Sequence, residues 1–178
     1  MGDDSWLLGG SRDSVSITAD WTPVSMPMIE GTQIHEVRNV PTGYGHLTEL
    51  FRVDWGLEPS AVGQVFQSVL MPGRLSAWHA HAETTDRLFV SSGLMLIALF
   101  DARPGSASAG RLMVMRTSNL RPQLVVVPPR VWHGVKNIGS DPATLVNIVD
   151  VGYQYDGPDH YRLPEHTDRI PFDIVGQT

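Results

Sequence analysis

An all-β fold is predicted for this chain by three observations. Short apolar runs recur about every ten residues, turn residues separate them, and no stretch sustains a helical period. The 17 glycines and 13 prolines supply the punctuation such a fold requires.

With 178 residues the chain is long enough to bury one core and short for two. Residues 1–25 are polar, serine-rich and without period, which predicts an N-terminal arm. A single domain is then expected over 26–178. Its first strand candidates are HLTELFRV (46–53), alternating polar and apolar, and GQVFQSVLM (63–71), which ends at the turn MPGR. DRLFV (86–90) and LMLIALFD (94–101) flank SSG, a connection suited to a hairpin, and the second run is apolar enough to be buried on both faces. A loop over 101–110 leads to RLMVMR, QLVVVPP, VWHGVKN and ATLVNIVDV, which continue the strand series. LMLIALF and QLVVVPP would be hazardous as open edges, and pairing across a dimer would cover them. From about residue 157 the composition turns to Pro, Asp and His without period, predicting an irregular tail.

The formal charge of -6 argues against nucleic acid and anionic membranes, since both need a basic face. A small-molecule substrate is the expected partner. Without cysteine, a disulfide, a thiolate nucleophile and a thiolate-bound metal are all excluded. The opening MGDDSWLLGG is acidic where a secretory signal is basic, and Trp6 stands where myristoylation needs Ser or Thr. The expected location is therefore cytoplasmic, with no membrane partner.

One segment carries chemistry. In PGRLSAWHAHAETTDRLFVSSG, Gly73 is followed by His79, His81, Asp86 and Gly93, and in PPRVWHGVKN a third histidine, His133, follows. Extended chain puts residues two apart on one face, so His79 and His81 lie side by side and a neighbouring strand can add His133. Adjacent Asp86 and Arg87 point to opposite faces, so only one of them joins the histidines. An isolated histidine in a strand is most often a satisfied core or surface residue, but three at this spacing argue for a site.

These two units resemble the motifs of the cupin superfamily, which implies a cupin jelly-roll (double-stranded β-helix) barrel. Asp86 stands where that pattern has Glu, and Arg130 where it has Gly. Over residues 28–173 the chain also resembles the dTDP-4-dehydrorhamnose 3,5-epimerase family. The likeness rests on MIEGTQIHEVRNVPTGYGHLTELFRVDW, SAWHAH, ALFDARPGSASAG, VVVPPRVWHGVKN and YDGPDHYRLP. It implies a homodimer and a cofactor-free proton transfer beside a keto group. His79 falls on the family's base position, His133 on its second histidine, and Arg87 near its enolate-stabilising lysine. The resemblance thus implies catalytic His79, Arg87 and His133, with His81, Gln67, Tyr44 and Asn147 binding substrate.

Several positions depart from the family. Asn147, or Val146 one residue away, stands where its acid tyrosine belongs, and neither can donate a proton as a phenol does. The family's aspartate partner for the base has no clear counterpart. Tyr44 and Ser76 replace two arginines, a loss of several kcal/mol of phosphate binding at about 1.5–3 kcal/mol each. A changed substrate is expected, in a role outside ordinary deoxysugar supply. Trp78 and Trp132, neighbours of inward histidines, are expected to point away from the pocket and pack. Three readings follow: an isomerase, epimerase or cyclase acting on a carbonyl compound; a metal enzyme holding Fe, Mn, Ni or Zn with His79, His81, Asp86 and His133; or a non-catalytic binding barrel.

Overall fold

A computed structural model describes residues 10–21, 24 and 26–178. The opening decapeptide, apart from Gly10, and Thr22, Pro23 and Ser25 of the expected arm lie outside the described residues. The strands are β1 (Gln33–Glu36), β2 (Asn39–Thr42), β3 (Gly45–Thr48), β4 (Gln64–Leu70), β5 (Leu75–Ala80) and β6 (Asp86–Ser92). They continue with β7 (Leu94–Phe100), β8 (Leu112–Ser118), β9 (Gln123–Val127), β10 (Trp132–Asn137), β11 (Ala143–Val149) and β12 (Tyr161–Arg162). Two five-stranded sheets result, ordered β1-β9-β6-β11-β4 and β12-β5-β10-β7-β8, with β2-β3 as a separate hairpin. This is the cupin jelly roll, closed by antiparallel pairing between strands distant in sequence.

Alternation explains the packing. On β7, Met95, Ile97 and Leu99 face the core between the sheets, while Leu96 and Ala98 face a second cluster outside. Both sets are fully buried, as an uninterrupted apolar run requires. The outer cluster is roofed by the C-terminal segment through Ile170, Phe172 and Ile174. A third cluster, containing Phe89, Leu124 and Val126, lies behind the other sheet beneath Leu50, Phe51 and Trp55.

Three expectations fail here. DRLFV and LMLIALFD form β6 and β7 but no hairpin: at Gly93 the chain crosses from one sheet to the other. Gly93 has φ +82, and an added Cβ would lie 2.5 Å from the Ala143 Cβ, so the crossing is sterically confined to glycine. HLTELFRV is a strand only to Thr48 and then becomes a loop leading to a 3-10 turn at Val53–Trp55. Finally, β7 and β9 are interior strands, covered by β10 and β8 and by β1 and β6, so they need no second chain. Among the described residues, no helix is long and apolar enough to cross a membrane.

Candidate active site

Antiparallel pairing of β5 with β10 sets His79 directly opposite His133. The strands can approach because Gly134 has no side chain: a Cβ there would lie 2.4 Å from that of Ala77. The two imidazoles meet edge to face, ring centres 4.2 Å apart, in a cavity of about 330 Å³ between the sheets. Trp78, the neighbour of His79 on β5, turns outward and packs edge-on against Phe172. Trp132 turns the same way, so both tryptophans point away from the cavity, their cover being the C-terminal segment.

Asp86, the first residue of β6, points in and is 2 % exposed. Its Oδ2 lies 3.3 Å from His81 Nε2 and 3.2 Å from His133 Nε2, and its Oδ1 accepts a hydrogen bond from Asn147 Nδ2 at 2.6 Å. Burial opposes its charge, but His133, His81 and the Asn147 amide outweigh that and hold the carboxyl below the usual range. The far nitrogens of both imidazoles face backbone carbonyls, His133 Nδ1 that of Val131 at 3.0 Å and His81 Nδ1 that of Asp159. A carbonyl only accepts, so each Nδ1 carries the hydrogen and each Nε2 is left facing the carboxylate. That contact is attractive when a ring gains a second proton or a cation lies between. His81, Asp86 and His133 bring one ligand atom each within 4.8 Å of one another; His79 stands outside this set.

Among the described residues, His79 has no carboxylate partner. Its Nδ1 is buried without a hydrogen bond, and burial, followed by the neighbouring His133, pushes its pKa well down. The ring is therefore neutral at pH 7.

Arg87 is not in the cavity. Alternation sends it through the back of the sheet, where it is fully buried and donates to the carbonyls of Ala61 (2.9 Å), Ile148 (3.3 Å) and Pro59. Its guanidinium lies 4.9 Å from the centre of the Phe51 ring. The enolate-stabilising role expected for it is thereby corrected. Gln67 is also displaced: Gln64, Phe66, Ser68 and Leu70 line the cavity, so Gln67 faces outward, exposed. Tyr44 is 81 % exposed at the tip of the β2-β3 hairpin, outside the cavity. His81 and Asn147 do line it.

The sequence reading missed the tail's contribution. Asp159 wraps its carboxylate around the β5-β6 turn, accepting from the backbone N–H groups of Ala82 (2.6 Å), Glu83 and Thr84 (both 2.9 Å) and the Thr84 hydroxyl (3.0 Å). Burial works against that charge, yet these donors bring its pKa down to about 2. The clamp presents His160 to the cavity, its ring 5.4 Å from that of His79 and 5.0 Å from that of His81. Pairing of β12 with β5 adds Arg162 to the wall, opposite His79 in register. A His and an Arg in an aperiodic Pro-rich stretch were the available signal, because irregular segments on a rigid scaffold often carry function.

A relative from Haloferax volcanii decides the family. The Haloferax volcanii protein named probable low-salt glycan biosynthesis epimerase Agl13 is 32% identical over 140 residues, 78% of this chain and 90% of its own. The chain is a divergent member of the dTDP-4-dehydrorhamnose 3,5-epimerase family. This epimerase also shares 30% identity over 145 residues with the Bacillus subtilis spore coat polysaccharide biosynthesis protein SpsL, covering 82% of this chain and 95% of that one. Among solved structures, a dTDP sugar isomerase from Desulfovibrio desulfuricans G20 superposes with a TM-score of 0.80 at 29% identity, over 87% of this chain and 97% of the other. No family model matches the epimerase. It is an enzyme of the epimerase type.

Proposed function

We propose that this epimerase moves a proton at the carbon beside the ketone of a nucleotide-linked keto sugar, with His79 as base and no bound cofactor. The observation that carries the reading is the register pair His79–His133 inside the cavity, with His79 held neutral. A neutral imidazole can take the proton, and the nearby Asp86 carboxylate favours the charge that results. The electron pair left on carbon passes to the carbonyl oxygen. With a second proton beside Asp86, the His81–His133 pair supplies the positive potential an enolate needs. Arg162, the only Lys or Arg on the cavity wall among the described residues, offers a charged fork to phosphate oxygens and takes over from the absent family arginines. The relatives' named roles in glycan and polysaccharide synthesis, and in isomerising a dTDP sugar, support this substrate class. The same reading includes a cytoplasmic homodimer.

The test is hydrogen exchange. In D2O with a dTDP-linked 4-keto-6-deoxy sugar, the wild type should place deuterium beside the ketone, followed by proton NMR. His79→Gln should slow that exchange by about 100-fold or more with an unchanged circular dichroism spectrum. Exchange at the wild-type rate in the variant would remove His79 from the mechanism.

A second reading is carried by the inward Asp86. His81, Asp86 and His133 fit a divalent ion: they converge, and His133 Nε2 is buried with no hydrogen-bond partner. Such an ion would polarise the ketone as a Lewis acid. Elemental analysis after chelator-free purification checks it. Near one equivalent of metal, lost on Asp86→Asn, supports the ion; less than a tenth of an equivalent, with no gain in melting temperature on adding Zn2+ or Mn2+, discards it.

A further inference from the structure

Removing a proton from one face of a carbon and returning it to the same face changes nothing. Inversion needs a donor on the other face, and the strand position expected to hold it is Asn147. That amide donates to Asp86 at 2.6 Å, and its oxygen accepts from the Arg87 backbone N–H at 3.2 Å, so it has no proton to give. The four imidazoles do not serve the opposite face. His79 is on β5, His81 directly follows that strand, His160 belongs to the tail clamped against it, His133 comes from the neighbouring β10, and their rings meet one another at 4.2 to 6.3 Å between centres in five pairs.

Across the cavity stands the sheet containing β4 and β11. It presents Phe66, Ser68, Leu70, Leu145 and Val149, none of which titrates near neutrality, and on β6 the Asp86 carboxyl, which is held below the usual range and so has no proton to give. Just past the end of β11, however, the chain folds back over the start of β4. There the backbone N–H of Tyr153 donates to Gln64 Oε1 at 2.9 Å, Tyr153 joins the cavity lining, and its ring meets that of Tyr155 edge to face at 5.3 Å. The chain has four tyrosines. Tyr153 is the only one on the cavity wall: Tyr44 is on the hairpin tip, and Tyr155 and Tyr161 lie outside the lining.

We propose that Tyr153 is the general acid of this epimerase, delivering a proton to the sugar face opposite His79. The proposal rests on the proton-transfer reading above and completes it. His79 takes the proton from the carbon beside the ketone, and the C–H electron pair becomes the enolate. The enolate carbon then takes the phenolic proton of Tyr153 from the other side, the carbonyl re-forms, and a phenolate and an imidazolium remain. Tyr153 is 53 % exposed at the mouth, so water can reprotonate the phenolate and carry away the proton held by His79, which closes the cycle. In effect the phenol has moved from the middle of a strand to the loop that follows it.

Tyr153→Phe separates the two half-reactions. In D2O with the dTDP-linked 4-keto-6-deoxy sugar, the variant should keep solvent exchange beside the ketone, with configuration retained. Formation of the inverted product should fall by about 100-fold or more, in kcat with little change in KM. Tyr155→Phe should leave both intact. Inversion at the wild-type rate by Tyr153→Phe would overturn the assignment, as would a loss confined to KM or a loss in Tyr155→Phe instead. Absence of exchange in the wild type itself overturns the base reading, and the acid proposal with it, so the two failures are distinguishable.

Discussion

Arg87 repays attention at the scale of single residues, because its guanidinium sits behind the catalytic wall and is spent on backbone. It satisfies three carbonyls, those of Pro59, Ala61 and Ile148, which tie the segment before β4 to the end of β11. Replacing it with methionine keeps much of the volume but strands those acceptors, each costly to bury alone. Arg87→Met should therefore lose about 3 kcal/mol of stability in urea unfolding, while the folded fraction keeps its kcat. A fall in kcat with stability unchanged would return Arg87 to the chemistry. Asp86 is the reverse case, a carboxylate at the inward position where a cation was expected. The two-residue period showed that only one of the pair could face inward. It could not show which, because the turn at 81–85 resets the alternation between β5 and β6.

At the scale of elements, strand-forming runs and turn signals located most of the barrel: β4, and every strand from β6 to β11, falls on a run recognisable from its apolar residues. Pairing was less legible. A short Gly-ended link between two apolar runs fits a hairpin and a sheet-to-sheet crossing equally well, and only the contact of Gly93 with Ala143 selects the crossing. His79, His81 and His133 could be grouped from spacing because alternation is a local rule. The approach of β10 to β5 that brings His133 opposite His79 is not local, and it depends on the missing Cβ of Gly134. His160 and Asp159 were hidden for a related reason. They lie in an aperiodic segment whose course is set by hydrogen bonds to a distant partner, the β5-β6 turn.

At the scale of the whole molecule, the outer side of β4 is left uncovered among the described residues. It is an edge strand, and Val65 and Val69 are 57 % and 56 % exposed on its outer face, with Met71 equally open beyond it. Exposed apolar edges favour association. The homodimer proposed above should use this strand, so light scattering at micromolar concentration should give twice the chain mass. Introducing Val65→Lys together with Val69→Lys should shift the protein to the monomer. A monomeric wild type would remove the dimer from the reading.

The pairing of β12 with β5 has a consequence for the making of the protein. Tyr161 lies opposite Ala80, nearly half the chain away. A chain emerging from the ribosome exposes His79 and His81 long before the segment that walls them in has been translated. Contacts of this range form slowly, since loop closure comes before any gain from pairing. The nascent barrel can begin to collapse around β6, β7 and β9, but it has no finished cavity until Asp159 reaches the β5-β6 turn. Substrate binding is therefore reserved for chains whose synthesis has passed that point, and a ribosome stalled earlier carries the histidines without a pocket to put them in.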